Sequence, residues 1–409
     1  MDQGRSIFST TSVSTVVVCG LLACIAASCA PDPSSNGTGR DLARTIREVE
    51  AGRATTPLVE QPIPGSDATV TFLVKGNGHG VPRIVSDVTG WGVRPVDETF
   101  DLTVGAMNRI GSTDWYGLET QVAPRARIEY LVVHGETDYR IDPNNPRRAE
   151  LHTTDPVSEV VAPDYVPPAA LTEPHVTPRG RIVEGTIDSR ALGAARRVTV
   201  YLPPSYRDDG SFPVAVFHSG WGRVGPGEMP RVLDWLIAHR RIEPVIVAFL
   251  QSYLPGAAGN HEGPPMRSYL TTEALEWLAE RYGITADPGE RAILAVSYGA
   301  KDALDAALTA GSPFGCVGLM IPGRRLTPAD LTTLTERPNR RIRVAILAGR
   351  YDGPNLATAR SADQVLTDAG HDVDFMEVPE GHNRATWRNH FGDVLVSLFG
   401  ARDGRTNQQ

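Results

Sequence analysis

The chain has 409 residues and a formal net charge of −8, with 41% hydrophobic and 22% charged residues. That length suits two domains better than one, and the composition is that of a packed globular protein rather than a disordered or fibrous one. The acidic balance, with no run of Lys/Arg interleaved with aromatics, excludes an electrostatic nucleic-acid binder; the densest basic cluster, Arg340-Arg341-Ile342-Arg343, leads into apolar Val344 and reads as the solvated start of a strand.

In chain order, residues 1–29 read as an export signal: Arg5 near the start, then a short apolar core through Val16, Leu21 and Ile25, closed by small residues. It is too short for a permanent membrane span. Ala26-Ala27-Ser28-Cys29 has the form of a bacterial lipobox, which would make Cys29 the lipidated first residue. Cys24 offers a competing site but leaves a shorter apolar core. Residues 30–55 follow as a polar tether and a short amphipathic helix over 40–53 (Leu42, Ile46, Val49). The chain has four cysteines, three of them in the signal, so Cys316 alone remains in the body and no intrachain disulfide can staple it. His261-Glu262 lacks the second histidine of a zinc helix, and no other metal-ligand spacing occurs; neither metal nor organic cofactor is expected.

Residues 56–153 carry short alternating runs at 68–74, 99–104, 115–118 and 127–134, separated by Gly, Pro, Asn and Asp turns, which predicts a small antiparallel β-sandwich. A proline-rich linker over 154–179 favours extended backbone. From 180 to 401 strands alternate with helices. Apolar runs at 197–202, 214–217, 244–250, 292–296, 344–347 and 374–378 read as strands, and 272–282, 302–310 and 387–399 as helices, before a tail at 402–409. Strands apolar throughout are strands covered on both faces, so the expected fold is α/β, with a doubly wound, mostly parallel sheet behind a small all-β domain.

Ser297 lies where an apolar strand turns into an Ala/Leu-rich helix, in Ala295-Val-Ser297-Tyr-Gly299. This is the layout of a nucleophile elbow, whose crowded turn needs small residues two before and two after the serine. Gly299 satisfies this, and Ala295 stands where glycine is usual. A serine hydroxyl needs a base and an oxyanion site to react at neutral pH. The base expected is His382, in Pro379-Glu-Gly-His382-Asn, between the last strand and the last helix; the acid is Asp352, directly after the strand at 344–347, with Glu380 as a fallback on a short loop. Their order, Ser then Asp then His, is the one this architecture uses. The oxyanion donors expected are the backbone N–H groups of Tyr298 and Trp221, the latter in the His218-Ser-Gly220-Trp221-Gly222 loop, whose Gly220 and Gly222 allow close approach to substrate. Arg267 reads either as a salt-bridge partner of Glu273 at a helix start or as a substrate-anion contact.

Taken together, residues 197–206 (Arg-Val-Thr-Val-Tyr-Leu-Pro-Pro-Ser-Tyr), 212–220, the Ser297 elbow, Ser312-Pro-Phe-Gly315 and Gly381-His382 with Trp387 resemble the esterase family of α/β hydrolases that includes enterochelin esterases, esterase D-like enzymes, feruloyl esterases and mycolyltransferases. The resemblance covers residues 180–400. The front domain resembles the immunoglobulin-like module of enterochelin esterase-like proteins, on Glu129-Tyr130 and Asp142-Pro-Asn-Asn-Pro146. With the export signal and lipobox read above, the resemblance implies an exported, lipid-anchored serine carboxylic-ester hydrolase acting on a small-molecule or polysaccharide-linked ester. Ala295 and Ala300-Lys301 depart from the family's glycines. Two other functions fit the sequence: acyl transfer on the same fold, and a non-catalytic surface lipoprotein that binds carbohydrate or a protein partner.

Overall fold

The computed structural model describes residues 41–92, 101, 103–150, 156–219, 227–252, 263–336 and 340–400. The signal and lipobox with Cys29, the tail, and Gly220, Trp221 and Gly222 therefore lie outside the described residues. The short helix expected after the tether spans Leu42–Glu50 and buries Ile46 and Val49. No helix among the described residues is long and apolar enough to cross a membrane.

The front of the chain forms two antiparallel sheets. One orders its strands Leu58–Glu60, Ala68–Lys75, Trp115–Val122, Asn108–Arg109; the other orders Arg83–Ser86, Arg127–His134, Pro156–Val161, Arg148–Glu150. Alternating residues of both meet in one core around Val70, Phe72, Val74, Ile84, Ile128, Tyr130 and Val160. The strand Pro156–Val161 falls in the stretch read as linker; its Val160 is buried in that core, and Val157, on the other face, is buried as well. Of the run at 99–104, the last two residues form a turn; most of the rest lies outside the described residues.

The back of the chain is an eight-stranded sheet in the order Arg181–Ser189, Ala194–Leu202, Ile246–Leu250, Val214–Ser219, Arg291–Val296, Cys316–Met320, Arg343–Gly349, Asp372–Val378. The first two pairings are antiparallel and the rest parallel. Strand residues divide by parity: Val214, Val216, Ile293 and Ala295 pack with the helices Gly299–Ala307, Pro328–Thr335 and Pro354–Asp368 on one face, while Ala215, Phe217, Leu294 and Val296 pack with Met229–Ala238 and Arg384–Phe399 on the other. Two strands and three helices were not anticipated. Arg181–Ser189 is largely exposed and carries no apolar run, Cys316–Met320 follows a Ser-Pro turn, and the helices 229–238, 328–335 and 354–368 each open on proline in the first turn, a residue that reads as loop but suits a helix start. The helix read at 272–282 starts earlier, running from Pro264 through a wide turn at Tyr269–Glu273 to Ala279.

Candidate active site

The strand Arg291–Val296 is buried from Ala292 onward and ends at Ser297, which takes φ 52. A non-glycine residue there costs about 1–3 kcal/mol and persists only where the surroundings impose it. Those surroundings are visible: Ser297 N–H donates to Met320 O at 3.0 Å, and Gly323 N–H donates to Ser297 O at 3.1 Å. A Cβ on Gly299 would lie 2.9 Å from the His218 ring and 3.4 Å from the Ala295 methyl. The elbow thus requires glycine at 299, while the Ala295 methyl sits in the core beneath the turn. His218 is itself locked, with Nδ1 2.5 Å from Ser252 Oγ and Nε2 3.4 Å from Asp302 Oδ2.

Ser297 Oγ lies 2.8 Å from His382 Nε2, and His382 Nδ1 lies 2.8 Å from Asp352 Oδ1 and 2.9 Å from Oδ2. Ser297 and Asp352 are buried, and about a quarter of the imidazole is exposed. Burial pulls the His382 pKa down, but the charge and hydrogen bond of Asp352, joined by the more distant charge of Asp87, hold it above the ordinary imidazole value. The acid and base loops are built against each other. Arg350 N–H donates to Val378 O and Tyr351 N–H to Glu380 O, and a Cβ on Gly349 would meet Glu380 O at 2.7 Å.

Asn355 was missed by sequence reasoning. It stands in the first turn of the helix Pro354–Asp368, donates from Nδ2 to Asp352 Oδ1 at 2.8 Å and accepts from Arg324 N–H on Oδ1 at 3.1 Å. The signal was the Asp352-Gly-Pro-Asn355 string, a helix start that returns an amide to the carboxylate. Glu380 is not turned to the base. It pairs with His390 at 3.0 Å and lies 3.9 Å from Arg127. Tyr298 is 41% exposed at the start of the elbow helix, with the Arg325 guanidinium 5.6 Å from its ring centre. Arg267 does not pair with Glu273. It binds Asp305 on the elbow helix at 2.8 and 3.0 Å, while Glu273 accepts from the N–H groups of Arg190 and Ala191 and from Ser189 Oγ. Six residues apart, the two stand on different faces of the helical run, whereas side chains along a helix meet at spacings of three or four.

A mixed α/β sheet with a strained serine at a strand-to-helix turn, backed by an imidazole and a carboxylate, defines the hydrolase class. The family model described as "Putative esterase" matches residues 189–398, slightly more than half of the chain, and the chain belongs to that family of carboxylic ester hydrolases. In fold the chain is similar to the ferric enterobactin esterase of Salmonella typhimurium, with a TM-score of 0.65 and 20% identity, covering 86% of this chain and 98% of that one. It is similar also to the enterobactin esterase of Shigella flexneri crystallised in the presence of enterobactin, with a TM-score of 0.64, 17% identity, and coverage of 85% and 97%. An endo-1,4-beta-xylanase/feruloyl esterase of Xylanibacter ruminicola is 25% identical over 236 residues; the match takes in 54% of this chain but spans only 31% of that protein's length.

Proposed function

We propose that this chain hydrolyses carboxylic esters through Ser297, His382 and Asp352. The observation that supports this above all is the unbroken hydrogen-bonded relay from Ser297 Oγ through both imidazole nitrogens to the buried Asp352 carboxylate. In this reading His382 Nε2 takes the Ser297 proton as Oγ bonds to the ester carbonyl carbon. The tetrahedral oxyanion is held by the Tyr298 N–H, at the amino end of the elbow helix where backbone dipoles favour negative charge, and by the Trp221 N–H. His382 then passes its proton to the departing alcohol as the carbon–oxygen ester bond breaks, leaving an acyl-Ser297. Water, deprotonated by His382, releases the acid and restores the serine. Asp352 holds the ring in the tautomer this requires and stabilises the imidazolium, and Asn355 holds Asp352.

The substrate class proposed is a bulky ester of the enterobactin kind rather than a xylan-linked ferulate. What supports it is the likeness to enterobactin esterases along almost their whole length, front sheets included. The finer reading of those sheets as an immunoglobulin-like module belongs with this proposal. So do export and anchoring at Cys29, which a Cys29→Ala variant recovered without its lipid in the soluble fraction would support and an unchanged membrane fraction would refute.

The test of the chemistry is Ser297→Ala. Turnover of p-nitrophenyl esters should fall by about 10³-fold or more, covalent labelling by a fluorophosphonate should disappear, and the melting temperature should stay close to wild type. Turnover at the wild-type rate would sink the assignment. His382 must be neutral to accept the proton, so kcat/KM should rise with pH through a midpoint above the ordinary imidazole value of about 6.5.

A further inference from the structure

We infer that Asp87, carried by the front sheets, is a positioning residue for the histidine base: it seats Gly381 and Asn383, the residues on either side of His382, and so fixes the backbone on which the imidazole stands. This rests on the reading of Ser297, His382 and Asp352 given above.

Asp87 follows the strand Arg83–Ser86 and opens the turn Asp87–Gly92; it is 2% exposed. Three donors converge on it. Trp91 Nε1 reaches Oδ1 at 3.0 Å, while Glu129 N–H at 2.8 Å and Asn383 Nδ2 at 3.1 Å reach Oδ2. Trp91 is placed to do this by a left-handed backbone, φ 56, which carries strain of its own. A Cβ on Gly381 would fall 2.0 Å from Asp87 Oδ1, so the carboxylate lies directly on the peptide preceding His382. Asn383, the residue after His382, is the cap of the final helix. Its Oδ1 accepts from Thr386 N–H and from Arg127 Nη1, and its Nδ2 goes to Asp87, so its orientation is fixed from both sides. Arg127 also reaches the other end of the loop, donating its N–H to Pro379 O at 3.1 Å.

A carboxylate this deeply buried is costly unless it is hydrogen-bonded, and an apolar side chain would fill the space more cheaply. Burial and the neighbouring Glu129 push Asp87 up to about 7, against the pull of its N–H donors and of Arg127. It therefore gains its charge as pH rises through about 7 and loses it below. The loop bearing the acid is gripped as well, since Ala123 N–H donates to Tyr351 Oη at 2.8 Å, one residue before Asp352. The groups facing His382 are Ser297 from the elbow, Asp352 and Asn355 from the acid side, and the charge of Asp87 from the front sheets. Behind Asp87 lie Arg127 with Glu129, Glu159 and Glu380, and Glu380 binds His390.

The experiment compares the full chain with its Asp87→Asn and Asp87→Ala variants. It measures p-nitrophenyl ester kcat and KM against pH, the NMR titration of the His382 imidazole, and thermal unfolding. Asp87→Asn should move the His382 titration and the rising limb of kcat to lower pH with KM nearly unchanged. Asp87→Ala should add a loss in kcat of about tenfold to a hundredfold, the size expected when a catalytic group is displaced by a fraction of an ångström to one ångström. A merely structural Asp87 would lower the melting temperature and leave the His382 midpoint where it is. Folded variants with wild-type kcat and an unmoved midpoint overturn the inference, while fluorophosphonate labelling of the wild type leaves the Ser297 reading standing. If the wild type neither labels nor turns over ester, the proposed function fails first; the His382 titration in Asp87→Asn still decides whether Asp87 acts on the imidazole. Should Asp87→Ala fail to fold, Asp87→Asn decides alone.

Discussion

The segment 291–307 carries its own geometry: an apolar strand, a strained serine and a helix of small residues follow one another, and the contacts that shape the turn come from neighbouring strands of the same sheet. The segment 379–383 has no regular structure of its own until Asn383 caps the last helix. It is shaped from outside, by Asp87 and Arg127 of the front sheets and by the backbone of the acid loop. A nucleophile must be presented on a rigid local scaffold, and a strand-to-helix turn is one. A base must be aimed at a nucleophile from a different part of the chain, and its support has to be tertiary. The front layer is therefore packed against the loop that carries the proposed chemistry and not only tethered ahead of it.

That contrast can be broken most sharply at Gly381. In Gly381→Ala the new methyl collides with Asp87, so the histidine loop must move while the elbow stays intact. Turnover should fall by about 10²-fold, with circular dichroism unchanged; an activity near wild type would mean the loop tolerates displacement. A smaller effect is expected at Asn355. Removing its hydrogen bond to a buried carboxylate should weaken transition-state support by about 1.5 kcal/mol, roughly tenfold in kcat. The loss should appear in kcat more than in KM, and steady-state kinetics of Asn355→Ala would show the split.

The last expected effect concerns stability and leaves the rate least changed. Burial works against the charged form of His390, but Asp393 at 2.9 Å and Glu380 at 3.0 Å on its two nitrogens prevail and push it up to about 9. A histidine whose folded pKa is raised contributes stability that is complete below its unfolded pKa of about 6.5 and is lost as pH rises through about 9. The gap in unfolding free energy between wild type and His390→Gln should therefore be widest near pH 6 and close at alkaline pH. A pH-independent gap from urea unfolding would show that the ring acts by packing alone.

Much of the site was legible because its chemistry is tied to local pattern. The apolar run before Ser297, the small residue at 299, the aspartate just past a strand and the histidine between the last strand and last helix are all one-dimensional signals, and the structure brings their side chains within hydrogen-bonding distance. Asn355 was partly legible, as the amide returned by a helix start. Asp87 was not, because nothing in Ser86-Asp87-Val88 distinguishes a turn residue from a carboxylate seated under a distant glycine. Arg267 was misassigned for a similar reason: its partner Asp305 lies on another helix, and only tertiary packing brings the two together while Glu273 turns to Ser189, Arg190 and Ala191.

The amino-acid order by itself determined where strand gives way to helix and which residue types stand at each of those junctions, because burial periodicity and turn chemistry act over a few residues. The aim of the imidazole, the seating of its loop on a carboxylate from the front sheets, and the pairing of Arg267 were decided only by tertiary structure. Those contacts join residues far apart in the chain, and their strength comes from exclusion of water that no local sequence can provide.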